Sequence, residues 1–134
     1  MTPEEISRLM YSKDWFSQWL GIEIEEINAG YCKLRMTIRK EMLNGFGIAH
    51  GGITYALADS AFAFASNSQG KKAVSIETSI SHTEQLKEGN ILIAVATELT
   101  SSNKLARYKV QVSTAEADIV ALFNGTVYKT NKEW

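Results

Sequence analysis

The sequence predicts an α+β fold, an antiparallel sheet wrapped around one long central helix. Three observations carry this. An apolar run between Gly51 and Gly70 is long enough to be a helix, and it sits among segments whose apolar and polar residues alternate. Two such segments precede the run and four follow it, joined by short polar turns. The lack of alternating strand and helix units excludes a doubly wound parallel sheet.

The elements follow in chain order. Residues from about 3 to 20 have a helical pattern, with Ile6, Met10, Phe16 and Trp19 available for one side and Thr2 as a cap before Pro3; this helix is expected to cover a sheet edge or end. Ile22, Ile24 and Ile27 interleave with Glu23 and Glu25. After Asn28-Ala29-Gly30, Cys32, Leu34, Met36 and Ile38 oppose Lys33, Arg35, Thr37 and Arg39, which makes a hairpin. The central helix is expected over about 52–68, stopping at Asn67-Ser68-Gln69-Gly70. Beyond it, Val74, Ile76, Thr78 and Ile80 alternate with Ser75, Glu77 and Ser79. The stretch Ile91 to Leu99 is more apolar and is placed centrally, Ala106 to Val112 alternates again, and Ile119 to Tyr128 closes the sheet.

At 134 residues and a formal charge of −1, the chain is expected to be a single domain over 1–134. The dispersed Lys and Arg argue against nucleic acid as a partner, because phosphate recognition needs a clustered positive field. No apolar run is long enough to span a bilayer and no leader pattern opens the chain, so no membrane association and a cytoplasmic location are expected. Cys32 is the single cysteine, which excludes an intrachain disulfide and a cysteine-rich metal site, and it reads as a small core residue. No metal is expected.

Asp59 is the one charged residue between Gly51 and Gly70. A helix that is apolar nearly all round is expected to be buried, and an unpaired buried carboxylate costs several kcal/mol or is pushed toward its neutral form. Asp59 is therefore either a general base or nucleophile, or a carboxylate satisfied by Ser, Thr or backbone donors at a helix contact. Just upstream, Asn44-Gly45-Phe46-Gly47-Ile48-Ala49-His50-Gly51-Gly52 runs into the helix. The first amides of a helix lack internal partners and carry the positive end of its dipole, so an oxyanion would sit well there. Gly51 and Asp59 are eight positions apart, about 12 Å along a helix. If both act on one carbonyl, they come from different chains of a C2 dimer with two central helices side by side.

The run from Asn44 to Gly52, with Asp59 seven residues beyond and strand patterns on both sides, resembles the hotdog-fold acyl-CoA thioesterases of the phenylacetic-acid-degradation type. The resemblance covers the chain from about Trp15 to Tyr128. It implies a sheet wrapped on a helix, paired into homodimers that assemble to homotetramers, and an acyl-CoA substrate, with aromatic acyl groups such as phenylacetyl among the candidates, split to free acid and coenzyme A. Coenzyme A is then part of the substrate, and no cofactor is implied. By the same resemblance Asp59 is the general base or nucleophile, and the Gly51 N–H polarises the carbonyl. His50 shapes the loop or bonds near the thioester, Asn44 orients water or holds the loop, and Ser75 aligns with a water-positioning serine. Asn44, His50 and Gly51 would come from one subunit, Asp59 and Ser75 from the other.

Candidate substrate contacts are Gly52 at the helix start and, for an acyl pocket, Tyr55, Phe62 and Phe64, set against the commoner role of helical aromatics as core. Lys71, Lys72, Lys104 and Arg107 are candidates for the coenzyme phosphates by position. Where relatives carry a Leu-Arg-Pro type segment, this chain reads Ser81-His82-Thr83-Glu84-Gln85-Leu86. His82 has no acidic partner at relay spacing and reads as a surface or interface residue. Two alternatives stand: a hydroxyacyl-thioester dehydratase or hydratase on the same fold, and a non-catalytic acyl-CoA binding module.

Overall fold

The computed structural model describes residues 1–134. The expected N-terminal helix is in fact two helices, α1 (Pro3–Lys13) and α2 (Trp15–Leu20). Thr2 and Glu5 cap α1 reciprocally, side chain to backbone in both directions. Asp14 breaks the helix and starts the next one, accepting from the Ser17 N–H at 2.9 Å and the Ser17 hydroxyl at 2.6 Å. The break also changes faces. Ile6 is buried, but Phe16 and Trp19 point to solvent and stack on each other, with the Arg39 guanidinium over the Trp19 ring. The common apolar side expected across residues 3–20 does not form, because Asp14 ends one helix and caps the next and so interrupts the helical period.

The sheet contains β1 (Glu23–Asn28), β2 (Tyr31–Thr37), β3 (Lys71–His82), β4 (Ile91–Ser101), β5 (Leu105–Thr114) and β6 (Ile119–Glu133). It is antiparallel throughout, in the order β1-β2-β4-β5-β6-β3. The apolar strand β4 lies inside the sheet, between β2 and β5, and alternates buried residues as expected of one face packed on a core. Cys32 is fully buried on β2, and burial pushes its thiol up to about 12.

The central helix α3 (Gly51–Asn67) starts and stops one residue earlier than expected. It buries Leu57, Ala58, Ala61, Phe62, Phe64 and Ala65 against the sheet. Gly125 on β6 makes the closest approach: a Cβ there would stand 2.6 Å from Phe62 Cζ, so no larger residue fits. The Tyr55 hydroxyl bonds Thr78 Oγ1 midway along β3. At the far end, Asn67 accepts from the Ala73 N–H at 2.8 Å and donates to the Ala73 carbonyl at 3.2 Å.

β3 pairs only with β6, so its other edge is free. Val74 and Ile76 are 52% and 58% exposed there, against the inward placement that alternation suggested. A register shift between Ser75 and Glu77 and the missing neighbour strand account for this. No helix is long and apolar enough to cross a membrane.

Candidate active site

The loop ahead of α3 is held by its own backbone and by Asn44. The Asn44 N–H donates to the Ile48 carbonyl at 2.8 Å, and the Asn44 side-chain oxygen accepts from the Phe46 and Ile48 amides at 2.9 and 3.4 Å. Gly47 takes φ +78°, a value that favours glycine and closes the turn. The Ala49 N–H donates to the Leu86 carbonyl at 2.7 Å, and the His50 N–H to the Met42 carbonyl at 2.8 Å. One nearby segment and one distant in sequence thus fix where the helix begins.

His50 is the N-cap of α3: its Nδ1 accepts from the Gly52 N–H at 3.1 Å. An imidazole whose Nδ1 accepts holds its proton on Nε2. Gly51, the first helical residue, has no acceptor for its N–H within the chain. That amide points out of the positive end of the helix and is free to donate to a developing negative charge.

The structure corrects the expectation for Asp59. The side chain is open to solvent in the single chain, because the sheet covers only one side of α3 and leaves an uncovered stripe through Gly52, Ala56, Asp59 and Ala63. Enough protein still surrounds the carboxyl to hold it above the ordinary carboxylate range, by partial desolvation first and then by the Asp14 carboxylate. Asp14 is placed there by a short polar chain: it bonds the Ser17 hydroxyl, and Ser17 Oγ lies 2.9 Å from Ser60 Oγ on α3. The sequence pattern carried no sign of Asp14 beside Asp59, since 45 residues separate them.

His82 is also placed unexpectedly. It ends β3, and its ring lies against Gly51, where a built Cβ would be 3.3 Å from Nε2. The other candidates divide by position. Ser75 is exposed on β3, two residues past the Asn67–Ala73 contact, and so runs beside the second half of α3, away from Gly51. Tyr55 is half-buried, edge-on to Phe123, with its hydroxyl taken by Thr78. Phe62 is not at a surface: it is 1% exposed and packs against Tyr108 and Phe123, so it and the buried Phe64 are core residues.

Lys71 opens β3 at the opposite end from His82, eleven steps of about 3.3 Å away. There it lines a polar hollow of about 240 Å³ with Ser66, Glu98 and Lys129, a space that does not include Gly51 or Asp59. The Lys72 ammonium sits over the Trp134 ring at 4.8 Å. Arg107 alternates with the buried Ala106 and Tyr108, so it stands on the sheet face turned away from α3 and cannot reach the Gly51 loop of its own chain. Lys104 lies in the exposed β4–β5 turn.

Comparison with known proteins identifies the family and the fold. The family model described as Thioesterase superfamily matches residues 46–121, from the glycine loop to β6. An Archaeoglobus fulgidus protein named provisionally as an esterase is 41% identical over 98% of this chain and 85% of its own length. The acyl-coenzyme A thioesterase PaaI of Escherichia coli is 34% identical over 90% of this chain and 86% of its own. The solved E. coli PaaI superposes with a TM-score of 0.96, covering 98% of this chain and 95% of that one. The phenylacetic acid degradation protein PaaI of Thermus thermophilus, 38% identical, gives 0.84 over 87% of this chain and 100% of its own. The chain therefore belongs to the thioesterase superfamily, and it is a thioester hydrolase built on the hotdog fold of the PaaI proteins.

Proposed function

We propose that the protein hydrolyses an acyl-CoA thioester to a free acid and coenzyme A, with no metal or redox cofactor. The carrying observation is the pair of features on the open side of α3: an unengaged Gly51 amide at its start and the Asp59 carboxylate two turns further. In the base route Asp59 takes a proton from water and the resulting hydroxide attacks the carbonyl carbon. In the nucleophile route the carboxylate attacks directly, and water then cleaves the mixed anhydride. In both, the oxyanion forms against the Gly51 N–H, the carbon–sulfur bond breaks, and the leaving thiolate collects a proton. The name of the E. coli relative supports acyl-CoA as the substrate class. Phenylacetyl-like acyl groups are the first to test, since two PaaI structures carry the phenylacetic acid degradation description.

Each site is shared by two chains. About 12 Å of helix separates Gly51 from Asp59, too far for one carbonyl to touch both. The free β3 edge with its exposed Val74 and Ile76 is the kind of edge that another chain completes. Two such edges meeting about a two-fold axis would set the open stripes of two α3 helices side by side, and such dimers assemble further into a homotetramer.

The test is complementation. Asp59→Asn chains and Gly51→Pro chains, each inactive alone, are co-expressed and assayed for thiol release over aromatic, short and long acyl-CoAs. Half of a random dimer population is mixed, and each mixed dimer has one intact site, so about a quarter of wild-type turnover should return. Mixtures no better than their parents would place both groups within one chain. Undiminished turnover in Asp59→Asn alone would remove Asp59 from the chemistry, and a wild-type protein that releases no thiol from any acyl-CoA would favour a binding module.

A further inference from the structure

We infer that His82 supplies a second hydrogen-bond donor to the thioester oxygen held at the Gly51 amide, an inference that rests on the thioesterase reading above. The ring lies over Gly51 by the Nε2 end of its face. From a Cβ built on Gly51, Nε2 is nearest at 3.3 Å, and the carbons on either side of it follow at 3.6 and 3.9 Å. Nε2 is therefore the ring atom nearest the first residue of the helix, with its N–H running across that residue toward the space in front of the helix start. Neither ring nitrogen has a hydrogen-bond partner within the chain, in a segment where the neighbouring Thr83 hydroxyl donates to the Ile119 carbonyl at 3.0 Å.

The two residues are held together by a braced frame. His82 is the last residue of β3 and pairs with Ala121, and the next amide, Thr83 N–H, donates to the Val120 carbonyl at 2.9 Å. Four residues on, the Leu86 carbonyl takes the Ala49 N–H, tying this segment to the loop that precedes α3. Gly51 consequently lies between two imidazoles with different commitments. His50 spends Nδ1 as an acceptor for the Gly52 N–H, whereas His82 is unspent.

A neutral imidazole with its proton on Nε2 donates without giving that proton away, so the proton balance of the hydrolysis is unchanged. The site then offers two neighbouring donors, backbone and side chain, and a pair of donors is the usual requirement for stabilising a tetrahedral oxyanion. Glycine at 51 has a reason beyond the helix start, because any side chain there would enter the gap between the amide and His82.

The experiment compares His82→Phe, which keeps a ring and loses the donor, with His82→Gln, which keeps an N–H at similar reach. Thermal unfolding checks that both fold. The expected result is a loss of about 10²–10³ in kcat for the Phe variant with KM little changed, and recovery of most of that loss in the Gln variant. Binding of two non-hydrolysable coenzyme A analogues gives a second readout. The Phe variant should weaken an analogue that keeps the carbonyl with CH2 in place of sulfur, and leave a thioether without the carbonyl unaffected.

A Phe variant as fast as wild type, a Gln variant as slow as Phe, or equal weakening of both analogues would overturn the role of His82 while wild-type turnover leaves the thioesterase reading standing. Absence of thiol release by the wild type with every acyl-CoA would overturn that reading, and this inference with it.

Discussion

Gly51→Pro removes one hydrogen-bond donor from the candidate site and puts a ring carbon in its place while leaving the helix start intact. Gly51 is the first residue of α3, a position where proline is favoured because its amide has no helical partner to lose. His50 before it is extended, at φ −62° and ψ 135°, which is the conformation a following proline requires. The control is Gly51→Ala, which keeps the N–H and adds a Cβ. In both variants that carbon stands 3.3 Å from His82 Nε2, the tip of an exposed side chain that can yield by a few tenths of an ångström. Proline also puts its Cδ where the amide hydrogen was, so the ratio of the two variants reads loss of the donor together with closure of the space in front of it. Loss of one oxyanion donor costs about 10²–10³ in kcat, or roughly 3–4 kcal/mol of transition-state stabilisation. Folding stability should not fall, because proline at a compatible position lowers the entropy of the unfolded chain by about 0.4–1 kcal/mol in free energy. Steady-state thiol release and thermal unfolding on both variants decide the matter. A folded Pro variant within about threefold of the Ala variant would show that the Gly51 N–H does not stabilise the oxyanion.

Other outcomes follow from the same structure. The Asp59 carboxyl is raised in the folded chain, so the fold retains its proton to higher pH than the unfolded chain does, and ionising Asp59 above that range opposes folding. Asp59→Asn should then unfold at a higher temperature than wild type at pH 7, with the gain vanishing below about pH 4, where both states are protonated. A lower melting temperature at pH 7 would contradict this. Asp14→Asn removes the second cause of that shift and should move the acidic limb of the kcat/KM profile to lower pH; an unmoved limb would show that Asp14 does not act on the carboxyl. Gly125→Ala forces a carbon to within 2.6–2.9 Å of three Phe62 ring atoms, an overpacking worth about 1–3 kcal/mol, or about 3–5 °C per kcal/mol for a chain of this size. Adding Phe62→Leu should recover part of that loss, whereas strict additivity would mean that the two sites do not touch. The Cys32 thiol should stay unreactive toward a disulfide reagent at pH 8 until the protein unfolds; labelling at the rate of a free thiol would put it outside the core.

Much of the fold was legible because it depends on local period. The alternation through Cys32, Leu34 and Met36 and the apolar run after Gly51 each report which side of an element faces the core, and burial follows them. Legibility failed where the answer depends on what lies across from an element. Val74 and Ile76 alternate like inward residues, but β3 has no neighbour on one edge and a bulge within it. The apolar residues on either side of Asp14 suit one helix, but a carboxylate that captures the Ser17 amide divides it into two.

The candidate site divides in the same way. The candidate junction, a glycine loop, a helix start and one acid two turns on, was readable from local sequence because these are contiguous residues whose spacing a helix converts directly into distance. What stands around them came from long-range packing. It uncovered Asp59, set Asp14 beside it across 45 residues, moved Phe62 into the core, turned Arg107 to the far face of the sheet, and brought His82 to Gly51. These depend on how a strand returns along a helix and which edge it leaves unpaired, and such pairings are set by long-range packing that no local pattern records.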